Sequence, residues 1–173
     1  MLVQRCICAL FLCFLFFLPL KSWAADSMSL GGLQLGMSQA EVMARTEALG
    51  LVVDEPQGQG SNTTMYSFKG SVFGMRPLSY SCFFQNGFLS DIIIDFSPDS
   101  AEDISKLKSS IAELKTEWDM AYGSGKDVFQ FVQEEGFNKL VWDLPGRKAG
   151  ISYPDDYASA SFYVRLKLGN SED

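Results

Sequence analysis

Residues 78–96 run Leu-Ser-Tyr-Ser-Cys-Phe-Phe-Gln-Asn-Gly-Phe-Leu-Ser-Asp-Ile-Ile-Ile-Asp-Phe. Two stretches of period-two hydrophobicity flank Asn86-Gly87, the dipeptide best suited to the two positive φ angles of a type I′ turn. The stretch therefore predicts a tight β-hairpin with arms at 78–85 and Phe88–Phe96. With Asn86 and Gly87 as the two loop residues, Gln85 faces Phe88, Phe84 faces Leu89 and Tyr80 faces Ile93. One sheet face then holds Ser81, Phe83, Phe88, Ser90, Ile92, Ile94 and Phe96. The other holds Tyr80, Cys82, Phe84, Leu89, Asp91, Ile93 and Asp95.

Upstream, Met37-Ser38-Gln39-Ala40-Glu41-Val42 carries a capping box, in which Ser38 and Glu41 satisfy each other's backbone amides. Met37 and Val42 take the staple positions on either side, and Gly50 supplies a C′ glycine, so the spacing predicts a helix over 38–49. Residues 56–62, rich in Gly and Gln, read as a loop, and Thr63–Lys69 as a strand.

Downstream, Ser97-Pro98-Asp99-Ser100 opens a second helix, with acids favoured in its first turn by the helix dipole. Ile104, Leu107, Ile111, Leu114, Trp118 and Ala121 recur at three and four residues and form its apolar stripe. Gly123-Ser124-Gly125 ends it. Strands are expected at 128–133, 137–144, 148–153 and 159–168, with a Pro145-Gly146 turn between the second and third. In the last of them Phe162, Val164, Leu166 and Leu168 face one way, and Tyr163, Arg165 and Lys167 the other. Short strands joined by tight turns cannot make parallel crossovers. The expected fold is α+β: an antiparallel sheet with two helices on one face, built as tandem α-β-β-β units. Residues 25–173 would form one compact domain of two half-units, about 30–97 and 98–169.

The start of the chain reads differently. After Arg5 comes an apolar run of thirteen residues, 6–18, which is shorter than the roughly 20 needed to cross a bilayer. A positive start, a short apolar run and small residues at Ser22 and Ala24 mark residues 1–24 as a secretory signal peptide. The expected location is periplasmic or secreted, with membrane contact only during export. Of the 173 residues, 21 are acidic, 14 are basic and none is histidine. Loss of Arg5 and Lys21 takes the net charge from −7 to 12 − 21 = −9. That balance argues against nucleic acid. Cys6, Cys8 and Cys13 would leave with the leader, so Cys82 remains alone without a disulfide partner.

Leu35-Gly36-Met37-Ser38-Gln39-Ala40-Glu41-Val42, with Leu49-Gly50 closing the helix, resembles the "GMS/T-x-x-E-V…LG" opening of small exported domains. These are the β-lactamase inhibitor protein-like domains and the small lipoprotein of the outer-membrane assembly machine. About 16 residues match well, and the hairpin order through residue 96 adds looser support. The second half is similar in element order only, and no lipobox cysteine is present. The resemblance implies a capped helix before an antiparallel sheet, two such units in tandem, and a non-catalytic, protein-binding role.

The chemistry of the side chains points the same way. Without histidine, serine–histidine and cysteine–histidine catalysis are excluded. Ser105-Lys106-Leu107-Lys108 matches Ser-x-x-Lys, but on the polar side of an amphipathic helix with no companion motif. Gly123-Ser124-Gly125-Lys126 lacks the upstream glycine of a phosphate loop and follows a helix instead of leading into one. Asp91 and Asp95 lie two pleats apart, roughly 13 Å at the backbone, beyond the separation of a glycosidase pair. No enzyme activity, cofactor or metal is expected. The expectation is an exported binding module that grips a protein partner, in the cell envelope or outside the cell, through an open sheet face. The candidate contact residues are Tyr80, Phe84, Leu89, Asp91 and Ile93, extended by Tyr163 and Arg165. The alternative is a small-ligand or lipid-binding envelope protein with that patch lining a pocket.

Overall fold

A computed structural model describes residues 29–54, 57–58, 62–132, 135–144, 146–154 and 164–170. The expected signal peptide, Tyr163 and the first part of the expected last strand lie outside the described residues. The chain begins with a short hairpin of β1 (Ser29–Leu30) and β2 (Leu33–Gln34), turned by Gly31 and Gly32 at φ +59° and +83°. It is followed by helix α1 (Gln39–Ala48), then β3 (Val52–Val53), β4 (Gln57–Gly58), β5 (Thr63–Lys69), β6 (Ser79–Gln85) and β7 (Phe88–Phe96). Helix α2 (Ala101–Tyr122) precedes β8 (Lys126–Val132), β9 (Glu135–Leu144), β10 (Arg147–Pro154) and β11 (Val164–Asn170). The longer strands form one antiparallel sheet in the order β5-β6-β7-β11-β10-β9-β8, and β3 and β4 each pair with β5. The α+β fold with tandem helix-then-strands units is therefore present, and the second unit carries four strands. The two units join where their last strands pair, β7 against β11.

Local chemistry explains both helices. In α1 the Ser38 amide donates to Glu41 at 2.7 Å, and the Glu41 amide donates to Ser38 Oγ at 3.3 Å, as a capping box requires. At the other end the Leu51 amide reaches the Thr46 carbonyl (2.9 Å) and the Gly50 amide the Glu47 carbonyl (3.0 Å), with Gly50 at φ +70°. These two bonds are the Schellman motif, and only glycine takes that φ without strain. In α2 the cap is Ser100, whose Oγ accepts from the Asp103 amide at 3.1 Å. Leu107, Ile111, Leu114 and Trp118 are buried, whereas Ala121 is exposed. The stripe ends instead on Tyr122, four residues after Trp118, which packs against the core.

Both helices cover the same side of the sheet. Val42 and Thr46 of α1 are buried, and Gln39 Nε2 donates to the Tyr66 hydroxyl on β5. Trp118 of α2 meets Trp142 of β9 edge to face, with ring centroids 5.1 Å apart. Beneath the helices lie Tyr80, Cys82 and Phe84 of β6, Leu89, Ile92, Ile94 and Phe96 of β7, and Leu166 and Leu168 of β11. The β1–β2 hairpin closes one end, with Gly31 so near the Tyr80 hydroxyl and Ile94 that a side chain there would collide with them.

The hairpin turn is of the expected type, with Asn86 at φ +53° and Gly87 at +82°. The register beyond it is not as expected. Phe84 pairs with Leu89, but Phe83 pairs with Asp91, Ser81 with Ile93 and Tyr80 with Ile94. Ser90 is the extra residue of a β-bulge, and its hydroxyl donates to the Phe83 carbonyl at 3.1 Å. One inserted residue reverses the facing of everything beyond it.

Candidate functional site

The bulge divides the expected patch between the two faces of the sheet. Tyr80, Phe84 and Leu89 are core residues, only 1%, 1% and 2% exposed, and cannot present an open binding surface. Asp91, Ile93 and Arg165 do lie on the face away from the helices; Tyr163 lies outside the described residues. The bulge also brings to this face two β6 residues that the unbulged register assigned to the other side, Ser81 and Phe83, next to Ile93 and Asp91 respectively.

Strand pairing orders the open face into rows. The first runs Ser79, Asp95, Arg165, Ser152, Lys139 across β6, β7, β11, β10 and β9. The second runs Ser81, Ile93, Lys167, Gly150, Val141, and the third Phe83, Asp91, Gly169, Lys148, Asp143. Residues paired across an antiparallel ladder share a face, so these fifteen side-chain positions form one surface.

The first row of that surface is held by an ion pair. Arg165 Nε donates to Asp95 Oδ1 at 2.8 Å, and its Nη2 to Oδ2 at 3.3 Å. Ser79 Oγ donates to the same carboxylate at 2.9 Å. A charge as buried as Asp95, 7% exposed, needs this set of partners to be tolerated. Arg165 therefore cannot be a loosely held rim residue, because the pair fixes its guanidinium across the β7–β11 junction.

Two shallow depressions lie beside it. One, of about 290 Å³, is lined by Thr63, Phe83, Gln85, Asp91, Ile93 and Lys167 among others. Phe83 and Ile93 give it an apolar floor. The second, of about 280 Å³, centres on Gly150, and its charged lining residues are Lys139, Lys148, Arg165 and Lys167. Gly150 and Gly169 add no side chains to this part of the sheet, and both are covered by their neighbours. The Asp91 carboxylate and Lys167 both lean over Gly169, and Lys139 lies beside Gly150.

The reactive groups of the hairpin are on the other side. Burial pushes the Cys82 thiol and the Tyr80 hydroxyl well above their ordinary pKa values, so both remain protonated in the core. Ser105 and Lys108 are exposed on α2. Among the described residues, no group of three or more His, Cys, Asp or Glu could hold a metal ion, and no helix is long and apolar enough to cross a membrane. The open face offers an apolar floor, hydroxyls and an amide for hydrogen bonds, and cations beside them. No family model, curated protein or solved structure matches this chain.

Proposed function

We propose that the chain is an exported, non-enzymatic binding module that holds another protein against the open face of its sheet. One observation carries the reading: both helices pack on a single side, and the opposite side is a continuous surface on which Phe83 and Ile93 form an apolar floor with polar residues around them. An apolar patch rimmed by polar groups is the usual anatomy of a protein-binding surface. The resemblance of residues 35–50 to small exported protein-binding domains supports the same reading. So does the leader-like run at the start of the chain, which would deliver the protein to the periplasm or beyond. The layer between sheet and helices, where a small-ligand pocket would be needed, is filled by Tyr80, Phe84, Ile92, Ile94 and Trp118.

Capture from envelope extract, with identification of the bound protein, tests the proposal. Phe83→Ser combined with Ile93→Thr removes the apolar floor without touching the buried side. The double variant is expected to lose the captured protein and keep its thermal melt. Undiminished capture would overturn the proposal, as would native mass spectra showing a co-purified lipid or aromatic ligand in place of a protein.

A further inference from the structure

We infer that the protein held on the open face presents an acidic segment, seated over Gly150, with an apolar side chain a few residues away. The inference rests on the binding role proposed above and adds the chemistry of the partner. The chain carries 21 acidic and 14 basic residues, so a random patch of its surface is more acidic than basic. The depression at Gly150 is the reverse: among the described residues its charged lining residues, Lys139, Lys148, Arg165 and Lys167, are all cations, Arg165 being paired with Asp95. They come from three adjacent strands, β9, β10 and β11, and alternate with Gly150 and Ser152, which add no bulk. Neighbouring strands lie about 4.8 Å apart and same-face residues about 7 Å apart along a strand, so the four stems rise from a patch roughly 10 Å by 13 Å.

Among the described residues, three carboxylates flank this depression, two on β7 and one on β9. Asp95 is bonded to Arg165, Asp91 leans over Gly169, and Asp143 pairs across from Lys148. They bound the cationic floor on two sides and favour a narrow occupant over a broad polyanion. A nucleic acid or an anionic bilayer pressed onto the sheet would meet these acids as well as the cations. An extended acidic segment lying over Gly150 would meet mainly the cations, and unlike charges set its register.

Lys167 lines both depressions, so the cationic floor and the Phe83–Ile93 floor are continuous. From Ile93 across Lys167 to Gly150 is two strand spacings, about 10 Å, which an extended chain covers in about three residues. An apolar residue placed about three positions from a run of acids would fill both floors at once. A free phosphate or a single carboxylate would fill only one.

The test uses a fluorescent peptide with one phenylalanine three positions before a run of four glutamates, titrated with the purified chain. Control peptides carry glutamine for glutamate, or serine for phenylalanine. The acidic peptide is expected to bind at least about tenfold more tightly than its glutamine counterpart and to weaken between about 50 and 300 mM salt. Lys139→Glu with Lys148→Glu should cost at least about tenfold while the melt is kept. If that pair fails to fold, Lys139→Gln with Lys148→Gln retains the stems and tests the same charge. Equal binding of the two peptides, no binding up to about 1 mM, or indifference to the lysine changes would overturn the inference. Lysine-dependent binding of inorganic phosphate or of phosphatidylglycerol vesicles, as tight as that of the peptide, would also overturn it. If the lysine variants still capture the envelope protein that the Phe83 and Ile93 variant loses, the acidic chemistry is wrong and the binding face stands. If neither set of changes affects capture, both readings fall.

Discussion

The Asp119 carboxylate, in the last turn of α2, accepts a hydrogen bond from the indole Nε1 of Trp142 on β9 at 2.9 Å. The same oxygen accepts from the Gly125 amide at 3.0 Å, and Lys115 pairs with the other. Gly125 packs so closely on the Trp142 ring that a Cβ there would approach it to 2.7 Å. One carboxylate thus fastens the end of the helix, the loop that leaves it and the strand beneath it.

This clasp makes stability depend on pH. The bonds from Lys115, Gly125 and Trp142 hold the Asp119 carboxyl below its ordinary value, in that order of influence for the first two. A group lowered by folding stabilises the native state fully above its unfolded pKa, and that contribution fades as pH falls through the folded value. Asp119→Asn removes the titration. Urea midpoints measured from about pH 6 down to pH 3 should therefore fall more steeply for the wild type below about pH 4, and the two curves should converge. Parallel curves would show that the clasp is not held by charge.

The facing of β6 gives a second expectation. Phe84 is 1% exposed and stacks edge to face with Tyr66 at 5.7 Å, whereas Phe83, one residue earlier, lies half-buried on the opposite face. Deleting a buried aromatic removes its transfer energy and leaves a cavity, so Phe84→Ala and Tyr80→Ala should each cost about 3–5 kcal/mol. Phe83→Ala should cost less than about 1.5 kcal/mol. Chemical denaturation of the three variants decides it, and equal costs would mean that Tyr80 and Phe84 are not on the buried face of β6.

Much of the fold was legible because its signals are local. The Asn86-Gly87 turn, the Ser38–Glu41 box, the Gly50 cap and the α2 stripe each depend on a few neighbouring residues. The faces of β7 differ from those expected, because pairing extrapolated from the turn assumes no inserted residue. A signal was nevertheless available. Ser79 and Ser81 alternate with Tyr80, Cys82 and Phe84, while Asp91 and Asp95 alternate with Ile92, Ile94 and Phe96. Those apolar sets can share a core only if one residue is inserted between the turn and Asp91. The run Ile92-Ile93-Ile94, apolar on both faces, hid that mismatch. The cationic floor was less accessible still, since Lys139, Lys148 and Arg165 become neighbours only through the β9–β10–β11 ladder. The two-residue strands β1 and β2 are too short to show any period.

Cys82 provides a third measurement. Its side chain is fully buried between the sheet and the helices, and burial raises its pKa, so the reactive thiolate is suppressed twice over. In the folded protein at pH 8, alkylation at Cys82 should proceed only through opening of the core, far more slowly than with a free thiol. In urea it should go to completion. Peptide mapping reads this residue separately from other cysteines, and rapid native labelling would place the thiol on an accessible surface.

The strongest test of the architecture is Ser90 itself. Ser90→Ala keeps the bulge and loses only the bond to the Phe83 carbonyl, which predicts a cost of about 1 kcal/mol. Deleting Ser90 is a different perturbation. With the turn fixed at Asn86-Gly87, the shortened strand pairs without a bulge, and Leu89, Asp91, Ile92, Ile93 and Ile94 still meet Phe84, Phe83, Cys82, Ser81 and Tyr80. Ile92, Ile94 and Phe96 stay in the core, and the Asp95–Arg165 pair at the β7–β11 junction is kept. The deletion variant should therefore still unfold cooperatively, with the same β6–β7 pairing in amide-exchange mapping. Loss of cooperative unfolding, or a displaced pairing, would show that Ser90 is not the extra residue.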